Sequence, residues 1–509
     1  MNGAAITVKC LLEHGVKDIF GYPGASVLSL LEAVENEKKL SLYVNTDEKF
    51  CAFAANGYAR ASGRTGVCIA TSGPGATNLV TAIADAYTDS IPLVAITGNV
   101  PLRLLGTDAF QEVDIAGITM PVTKYNFIVK SAEALAPTLR RAFEIAESGR
   151  KGPVLVDIPC DVFEANAKYT RAVPAPAKTT AAPANLGAVA ELINKSSRPA
   201  VCAGGGVISS GASANLRALV DKLNCPVVST AMGIGAFDGA DPRFRGLVGM
   251  NISGDASEVL DESDLLIAVG VRFSDRMLVS LRGRSLQVVH VDIDDAEIEK
   301  NLSPCGALVG DADEVLKMLL PLVNSRRGGA KFAPRDSQSG EDAYSLLNKY
   351  FPEAVFTTEV GLHQVEACKK LVIRRPRGFI TSGGLGAMGF GLPAAVGASV
   401  ALGGKMVVNV AGDGSFMMNM QELATASRLG LPIIELVMNN RSLGMIEKMA
   451  HGAKRAYCET PRPDYSLLAR SLGAEYFSAE NTAELETAFA SAAALNKTVL
   501  IEFKMQELI

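Results

Sequence analysis

Two oxygen-bearing clusters stand out in the last third of the sequence: Gly412-Asp413-Gly414-Ser415 and, after 23 intervening residues, Asn439-Asn440. Each follows an apolar run, Met406–Val410 and Ile433–Met438, so a carboxylate and a carboxamide are expected at the ends of two strands. Hard oxygen donors of this kind suit Mg²⁺ when it also holds phosphate oxygens. Gly412 and Gly414 would let the backbone approach a diphosphate closely. Taken separately, the clusters read as a Gly-Asp-Gly turn and a helix-capping Asn pair; their joint spacing favours the metal and phosphate reading.

A second set lies in the middle of the chain. Gly204-Gly205-Gly206 follows the run Ala200–Ala203, Asp292 and Asp294 follow Val288–Val291, and Gly310-Asp311-Ala312-Asp313 comes later. Glycines after one strand and acids after another are what a dinucleotide needs for its diphosphate and ribose. Gly384-Leu385-Gly386-Ala387-Met388-Gly389 also fits GxGxxG, a short and weakly specific pattern. Glu48, in Thr46-Asp47-Glu48-Lys49 after Leu42-Tyr43-Val44, reads in isolation as a solvated charge or a helix N-terminal residue.

The elements that must position these residues alternate throughout. Val67–Ala70, Leu93–Thr97 and Val154–Ile158 are expected as buried strands in the first part, with helices over Thr77–Ala86 and Leu135–Glu147. Ala200–Ala203, Val227–Ser229, Leu265–Val269 and Val288–Val291 are strands of the second part. Continuous apolar strands separated by helices imply parallel sheets covered on both faces. Compositional breaks at 165–185 and 324–340 read as linkers and divide the chain into 1–164, 185–323 and 341–509. The fold class is therefore α/β, three consecutive parallel-sheet layered domains, with ligands expected at the carboxyl ends of strands.

Composition excludes several classes. The 509 residues are 48% apolar and 20% charged, with no Trp, which is not the make-up of a disordered chain. A net charge of −5 without a basic tract gives no nucleic-acid footprint. No apolar stretch reaches a membrane span of roughly 18–20 residues, and the N-terminus lacks signal-peptide features, so a cytoplasmic protein is expected. Nine scattered Cys without CxxC, and four His, suggest neither a disulfide framework nor a zinc site.

The GDG and NN pairing resembles the thiamine-diphosphate motif, and similarity to acetolactate (acetohydroxyacid) synthase large subunits extends over almost the whole chain. Gly21-Tyr22-Pro23-Gly24, Gly57–Gly63, Thr71–Asn78, Gly106–Glu112 and Gly383–Pro393 all look like signatures of that family. The resemblance implies a pyrimidine-binding domain, a Rossmann-like central domain and a diphosphate-binding domain. Asp413, Asn440 and the carbonyl of Ser442 would be the metal ligands for Mg²⁺. Thiamine diphosphate would be held by Pro23, Gly24, Asn78, Val360, Gly361, His363, Gly386, Met388, Gly412, Gly414, Ser415, Leu443, Gly444 and Met445, with Met388 as the wedge that bends it. Arg272 matches an arginine near cofactor and substrate, and the central domain, with Asp292 after its strand, would bind FAD.

The resemblance also assigns chemistry. Glu48 stands where the family carries its activating glutamate, whose bond to the pyrimidine ring lets the neighbouring nitrogen take the C2 proton; a buried Glu with a raised pKa suits that exchange. Gln111 matches a substrate-side residue. The implied reaction is a decarboxylating carboligation within branched-chain amino acid biosynthesis, in which a 2-oxo acid such as pyruvate loses CO2 and its C2 unit joins a second 2-oxo acid. Implied partners are a second copy, as homodimer or homotetramer, and a small regulatory subunit, with neither nucleic acid nor membrane. The alternatives are another 2-oxo-acid decarboxylase or lyase with a changed acceptor, or a non-catalytic regulatory homologue. The chain departs from the family at Lys49-Phe50-Cys51-Ala52, where Phe50 is expected to narrow the space beside the cofactor. It departs also at Leu362 and at Lys448-Met449, which stands where many members have Gln-Trp.

Overall fold

The computed structural model describes residues 1–172, 182–249, 251–326, 342–450 and 455–505. It contains three six-stranded parallel sheets. The first comprises β1 (Asp18–Gly21), β2 (Ser41–Val44), β3 (Gly66–Ala70), β4 (Leu93–Asn99), β5 (Tyr125–Ile128) and β6 (Pro153–Pro159), in the order β2-β1-β3-β4-β6-β5. The second comprises β7 (Pro199–Ala203), β8 (Val227–Ser229), β9 (Phe244–Leu247), β10 (Leu265–Val269), β11 (Gln287–Asp292) and β12 (Gly306–Val309), ordered β12-β11-β10-β7-β8-β9. The third comprises β13 (Val355–Thr358), β14 (Phe379–Thr381), β15 (Val407–Gly412), β16 (Ile433–Asn439), β17 (Glu475–Ala479) and β18 (Val499–Lys504), ordered β14-β13-β15-β16-β18-β17. Inner strands β3, β4, β6, β7 and β10 are buried at every position, as apolar strands covered on both faces must be.

The first and third sheets belong to one compact unit and the second sheet to another. Within the first unit, the helices Glu48–Ser62 and Gly391–Ala401 cross at backbone contact. A Cβ on Gly57 would lie 2.2 Å from the Ala394 carbonyl oxygen, and one on Gly397 would lie 1.8 Å from that of Ala54. The glycines and alanines of these helices make that approach available, and a shared apolar core with Phe50, Phe53, Phe390 and Leu392 surrounds it.

Two local expectations are corrected. The helix expected over Thr77–Ala86 is two, Pro74–Asn78 and Val80–Thr88, because the Leu79 amide tightens onto the Ala76 carbonyl. The strand expected at Ala200–Ala203 is present as β7, and a helix begins at Gly205. The residues expected to form linkers at 165–185 and 324–340 fall partly outside the described residues, but 165–170 is tied down. Gly3 donates to the Ala165 carbonyl, Ala167 to that of Met1, and Tyr169 to the Glu13 carboxylate. Among the described residues no helix is long and apolar enough to cross a membrane.

Candidate active site

The predicted residues of the third sheet gather at the carboxyl ends of adjacent strands. β13 leads to Val360-Gly361 and His363, β15 to Gly412–Ser415, β16 to Asn440 and Ser442, and β14 to the loop that carries Gly386 and Met388. Asp413 is 1% exposed. Burial lifts its carboxyl above the ordinary value; a hydrogen bond from the Thr460 hydroxyl and the nearby amides of Gly414 and Arg441 oppose that shift. The Arg441 amide brings Asp413 against the turn that holds Asn440 and Ser442.

The two asparagines divide their work. Asn439 turns into the sheet, its Nδ2 donating to Glu502 at 2.6 Å, while Asn440 follows the strand end and its Oδ1 accepts the Ser442 amide at 3.2 Å. Leu443 covers Gly414, where a Cβ would lie 2.4 Å from Leu443 Cδ2, and Gly444 opens the helix Gly444–Met449, which includes Met445. Asp413, Asn440 and the Ser442 carbonyl offer oxygens only, the kind of donor Mg²⁺ takes together with phosphate. Among the described residues there is no group of three or more His, Cys, Asp and Glu suited to a metal.

His363 packs against two glycines: a Cβ on Gly412 would lie 2.9 Å from His363 Nδ1, and one on Gly361 2.6 Å from Cε1. Burial holds its imidazole down at about 4, against a hydrogen bond with the Glu359 backbone, so the ring is neutral. Ser415 Oγ donates to the Val360 carbonyl at 3.0 Å, tying two of the loops together. At Gly386 φ is +71° and the nearest group to a would-be Cβ is Val360 Cγ1 at 4.0 Å, which leaves open space over the loop. Neutral ring, bare backbone and oxygen donors along one sheet edge fit a diphosphate with its metal.

In the first sheet, Pro23-Gly24, Glu48 and Asn78 follow the adjacent strands β1, β2 and β3. Glu48 is the first residue of its helix, with Asp47 as N-cap accepting the Lys49 amide at 2.8 Å. Its Oε2 accepts Asn78 Nδ2 at 2.9 Å, and a Cβ on Gly75 would come within 3.2 Å of Oε1, so glycine there keeps that oxygen uncovered. Gly24 packs on Thr71, and Ser26 bonds Thr71 across the same pair of loops at 2.8 Å. Gln111 sits at φ 59° with its backbone against Gly73, in a loop whose Gly106, Thr107 and Ala109 amides all donate to Glu112.

Glu48 and Asp413 belong to separate clusters: among the described residues, no hydrogen bond or ion pair joins Glu48 or Asn78 to the Asp413 group. Phe50 differs from expectation. It is 1% exposed in the shared core and does not line an open space, whereas Met449 is 74% exposed.

In the second unit, Gly204–Gly206, Arg272 and Asp292 stand at the carboxyl ends of β7, β10 and β11, three neighbouring strands, which fits a dinucleotide. The glycines have a structural reason of their own: a Cβ on Gly204 would lie 2.0 Å from the Gly270 carbonyl oxygen. Asp292 Oδ1 accepts the Asp294 amide at 3.0 Å, and Asp311 is the N-cap of the helix Ala312–Leu319.

Sequence reading passed over the buried acids behind these loops. Asp85, Asp89, Glu359 and Glu422 are all at most 9% exposed and all bonded to loop or strand-end groups. The signal was present for Glu359, a carboxylate at the end of a β-branched and aromatic run directly before Val360-Gly361.

Comparison with known proteins gives three matching segments. Residues 1–118 match the N-terminal TPP binding domain of thiamine pyrophosphate enzymes, 186–319 their central domain, and 359–503 their C-terminal TPP binding domain. The chain is 40% identical over 513 residues to a probable acetolactate synthase large subunit of Methanocaldococcus jannaschii, covering 93% of this chain and 86% of the relative. It is 42% identical over 469 residues to the acetolactate synthase isozyme 1 large subunit of Escherichia coli, covering 88% and 83%. A chloroplastic acetolactate synthase of Zea mays is 40% identical over 504 residues, covering 91% and 78%.

Proposed function

Because this chain belongs to the thiamine pyrophosphate enzyme family, with acetolactate synthase large subunits among its relatives, we propose that it is a thiamine-diphosphate-dependent carboligase of acetolactate synthase type. It takes a 2-oxo acid such as pyruvate, releases CO2 and joins the remaining C2 unit to a second 2-oxo acid. The observation that carries the reading is the approach of buried Asp413 to the Asn440–Ser442 turn at the ends of two paired strands.

When bound, thiamine diphosphate supplies the carbanion chemistry. The chain supplies the rest. Asp413, Asn440 and the Ser442 carbonyl would hold Mg²⁺, and Gly412, Gly414, Ser415, Leu443, Gly444 and Met445 would surround the diphosphate. Val360, Gly361 and neutral His363 would border the same phosphates. Met388, on its loop with Gly386, would fix the bend between the two rings. Pro23, Gly24 and Asn78 would line the pyrimidine side. Glu48 would hold a proton at the pyrimidine nitrogen, oriented by the Asn78 amide. Gln111 would meet the substrate. The separate Glu48 and Asp413 clusters support a homodimer in which each site draws on two chains. The domain division 1–164, 185–323 and 341–509 is part of the same reading, as is FAD held by Arg272, Asp292 and the Gly204–Gly206 turn. A small regulatory subunit and a cytoplasmic location rest on the resemblance.

The test is to incubate purified protein with thiamine diphosphate, Mg²⁺ and pyruvate and to measure CO2, acetolactate, acetaldehyde and acetoin. Acetolactate in step with CO2 supports the proposal; acetaldehyde without acetolactate sinks the carboligase.

A further inference from the structure

The loop from Ser382 to Leu392 carries Met388, and five of its backbone amides donate to buried carboxylates. Gly383 and Gly384 donate to Asp89 at 3.0 and 2.8 Å. Ala387, directly before Met388, donates to Ser382 Oγ at 2.8 Å, and that hydroxyl donates in turn to Asp85. Gly389, directly after Met388, donates to Glu359 Oε2 at 2.8 Å; Gly391 and Leu392 donate to Oε1 at 2.7 and 3.2 Å. Asn419 Nδ2 adds a further donor to Oε1.

The acids come from different places. Asp85 and Asp89 lie on and just after the helix Val80–Thr88 beside the first sheet, whereas Glu359 follows β13 of the third. Arg60 closes the arrangement: its Nη2 donates to Asp85 at 3.2 Å and to Asp89 at 2.8 Å, and its Nη1 to the Thr381 carbonyl at 3.0 Å. Four donors and no acceptor converge on Glu359, a demand that only a group with two acceptor oxygens meets. Buried groups bonded this fully are costly to rearrange, so the loop has one arrangement.

We propose that Asp85, Asp89 and Glu359 are positioning residues that clamp the amides on both sides of Met388 and hold its loop in working shape before any cofactor arrives. The proposal rests on the reading of Met388 as the residue that shapes bound thiamine diphosphate. Glu359→Gln is the diagnostic change, because the amide that replaces one oxygen sets an NH2 against an N–H donor: against Gly389, or, in the flipped orientation, against Gly391, Leu392 and Asn419.

Hydrogen–deuterium exchange on cofactor-free protein reads the clamp directly. In the wild type the 382–392 peptide is expected to be protected as well as the β16 peptide 433–439. In Glu359→Gln and Asp89→Asn its exchange should rise roughly tenfold or more while β16 stays unchanged. A loop that exchanges freely in the cofactor-free wild type and becomes protected only with thiamine diphosphate and Mg²⁺ would overturn the proposal, and that arm needs no variant. Titration calorimetry should give a cofactor Kd raised roughly tenfold in Glu359→Gln. At saturation the near-ultraviolet circular dichroism of bound cofactor should change shape, which a mere loss of folded fraction does not cause; an unchanged Kd and band shape would reject the positioning role. Failure of the wild type to bind thiamine diphosphate would count against the proposed function alone, since the exchange arm is read without it.

Discussion

Asn78 Nδ2 donates to Glu48 Oε2 at 2.9 Å, linking the end of the helix Pro74–Asn78 to the first residue of the helix Glu48–Ser62. This contact fixes one carboxylate oxygen and leaves the other facing Gly75. Glu48→Gln is therefore expected to keep thiamine diphosphate binding and to lose activity on the order of 10²–10⁴-fold. Steady-state CO2 release together with calorimetric cofactor binding checks it; an unchanged rate rejects Glu48 as the proton-handling acid.

Removal of the metal should be reversible. Dialysis against a chelator is expected to abolish activity and weaken cofactor binding, with recovery on adding Mg²⁺, because Asp413, Asn440 and the Ser442 carbonyl offer only hard oxygens. Asp413→Asn should bind metal and cofactor more weakly and not recover at ordinary Mg²⁺. Full cofactor affinity in the chelated protein would contradict the assignment.

Asp157 gives a pH signature. Burial raises its carboxyl to about 6, against hydrogen bonds from Asn99 and Thr97. A carboxyl raised in the folded state binds a proton that the unfolded chain has released, so its stabilising contribution is complete below the ordinary value of 3.8 and is lost as pH climbs to about 6. Comparing Tm across that window, Asp157→Asn should fall less steeply with rising pH than the wild type. Parallel curves would show that Asp157 does not titrate there.

Gly57 reverses an ordinary rule. Gly to Ala inside a helix normally stabilises by up to about 1 kcal/mol, but here the new Cβ would lie 2.2 Å from the Ala394 carbonyl oxygen. Gly57→Ala is expected to destabilise by about 1–3 kcal/mol through overpacking. Denaturant unfolding measures this, and a more stable variant would mean the two helices are free to part.

Flavin is checked without any assay. Freshly purified protein is expected to be yellow with a flavin absorbance spectrum, and Asp292→Ala to lose it. Colourless protein that takes up no added FAD would remove that cofactor from the proposal.

Much of this was readable before the fold was known, for physical reasons. β3, β4, β6, β7 and β10 are buried throughout and built mostly of apolar residues, and so announce themselves. The edge strands β2, β5 and β17 are partly exposed and carry polar residues, and the edge strand β12 is short and opens on Gly306, so their sequences signal strands only weakly. Asp413 and Asn440 were legible because their spacing follows two strands. Asp85 and Asp89 were not, because Asp85 is held by the side chains of Asn56, Arg60 and Ser382, and Asp89 by Arg60 and the Gly383 and Gly384 amides, groups 25 to 297 residues away whose approach leaves no mark in a sequence. Phe50 misled because its position in a motif suggested proximity to a ligand, whereas helix geometry turns it into the core.

Glu48 and Arg60 stand at opposite ends of one helix, about 18 Å apart along its axis. One end carries the carboxylate assigned to proton exchange; the other grips Thr381 and Asp89, which secure the start of the Met388 loop. The helix is thus a stiff strut shared by two pieces of machinery. A substitution midway along it, at Ala54 where Gly397 presses closest, would reach both ends together, so turnover is expected to respond to residues that never approach a substrate.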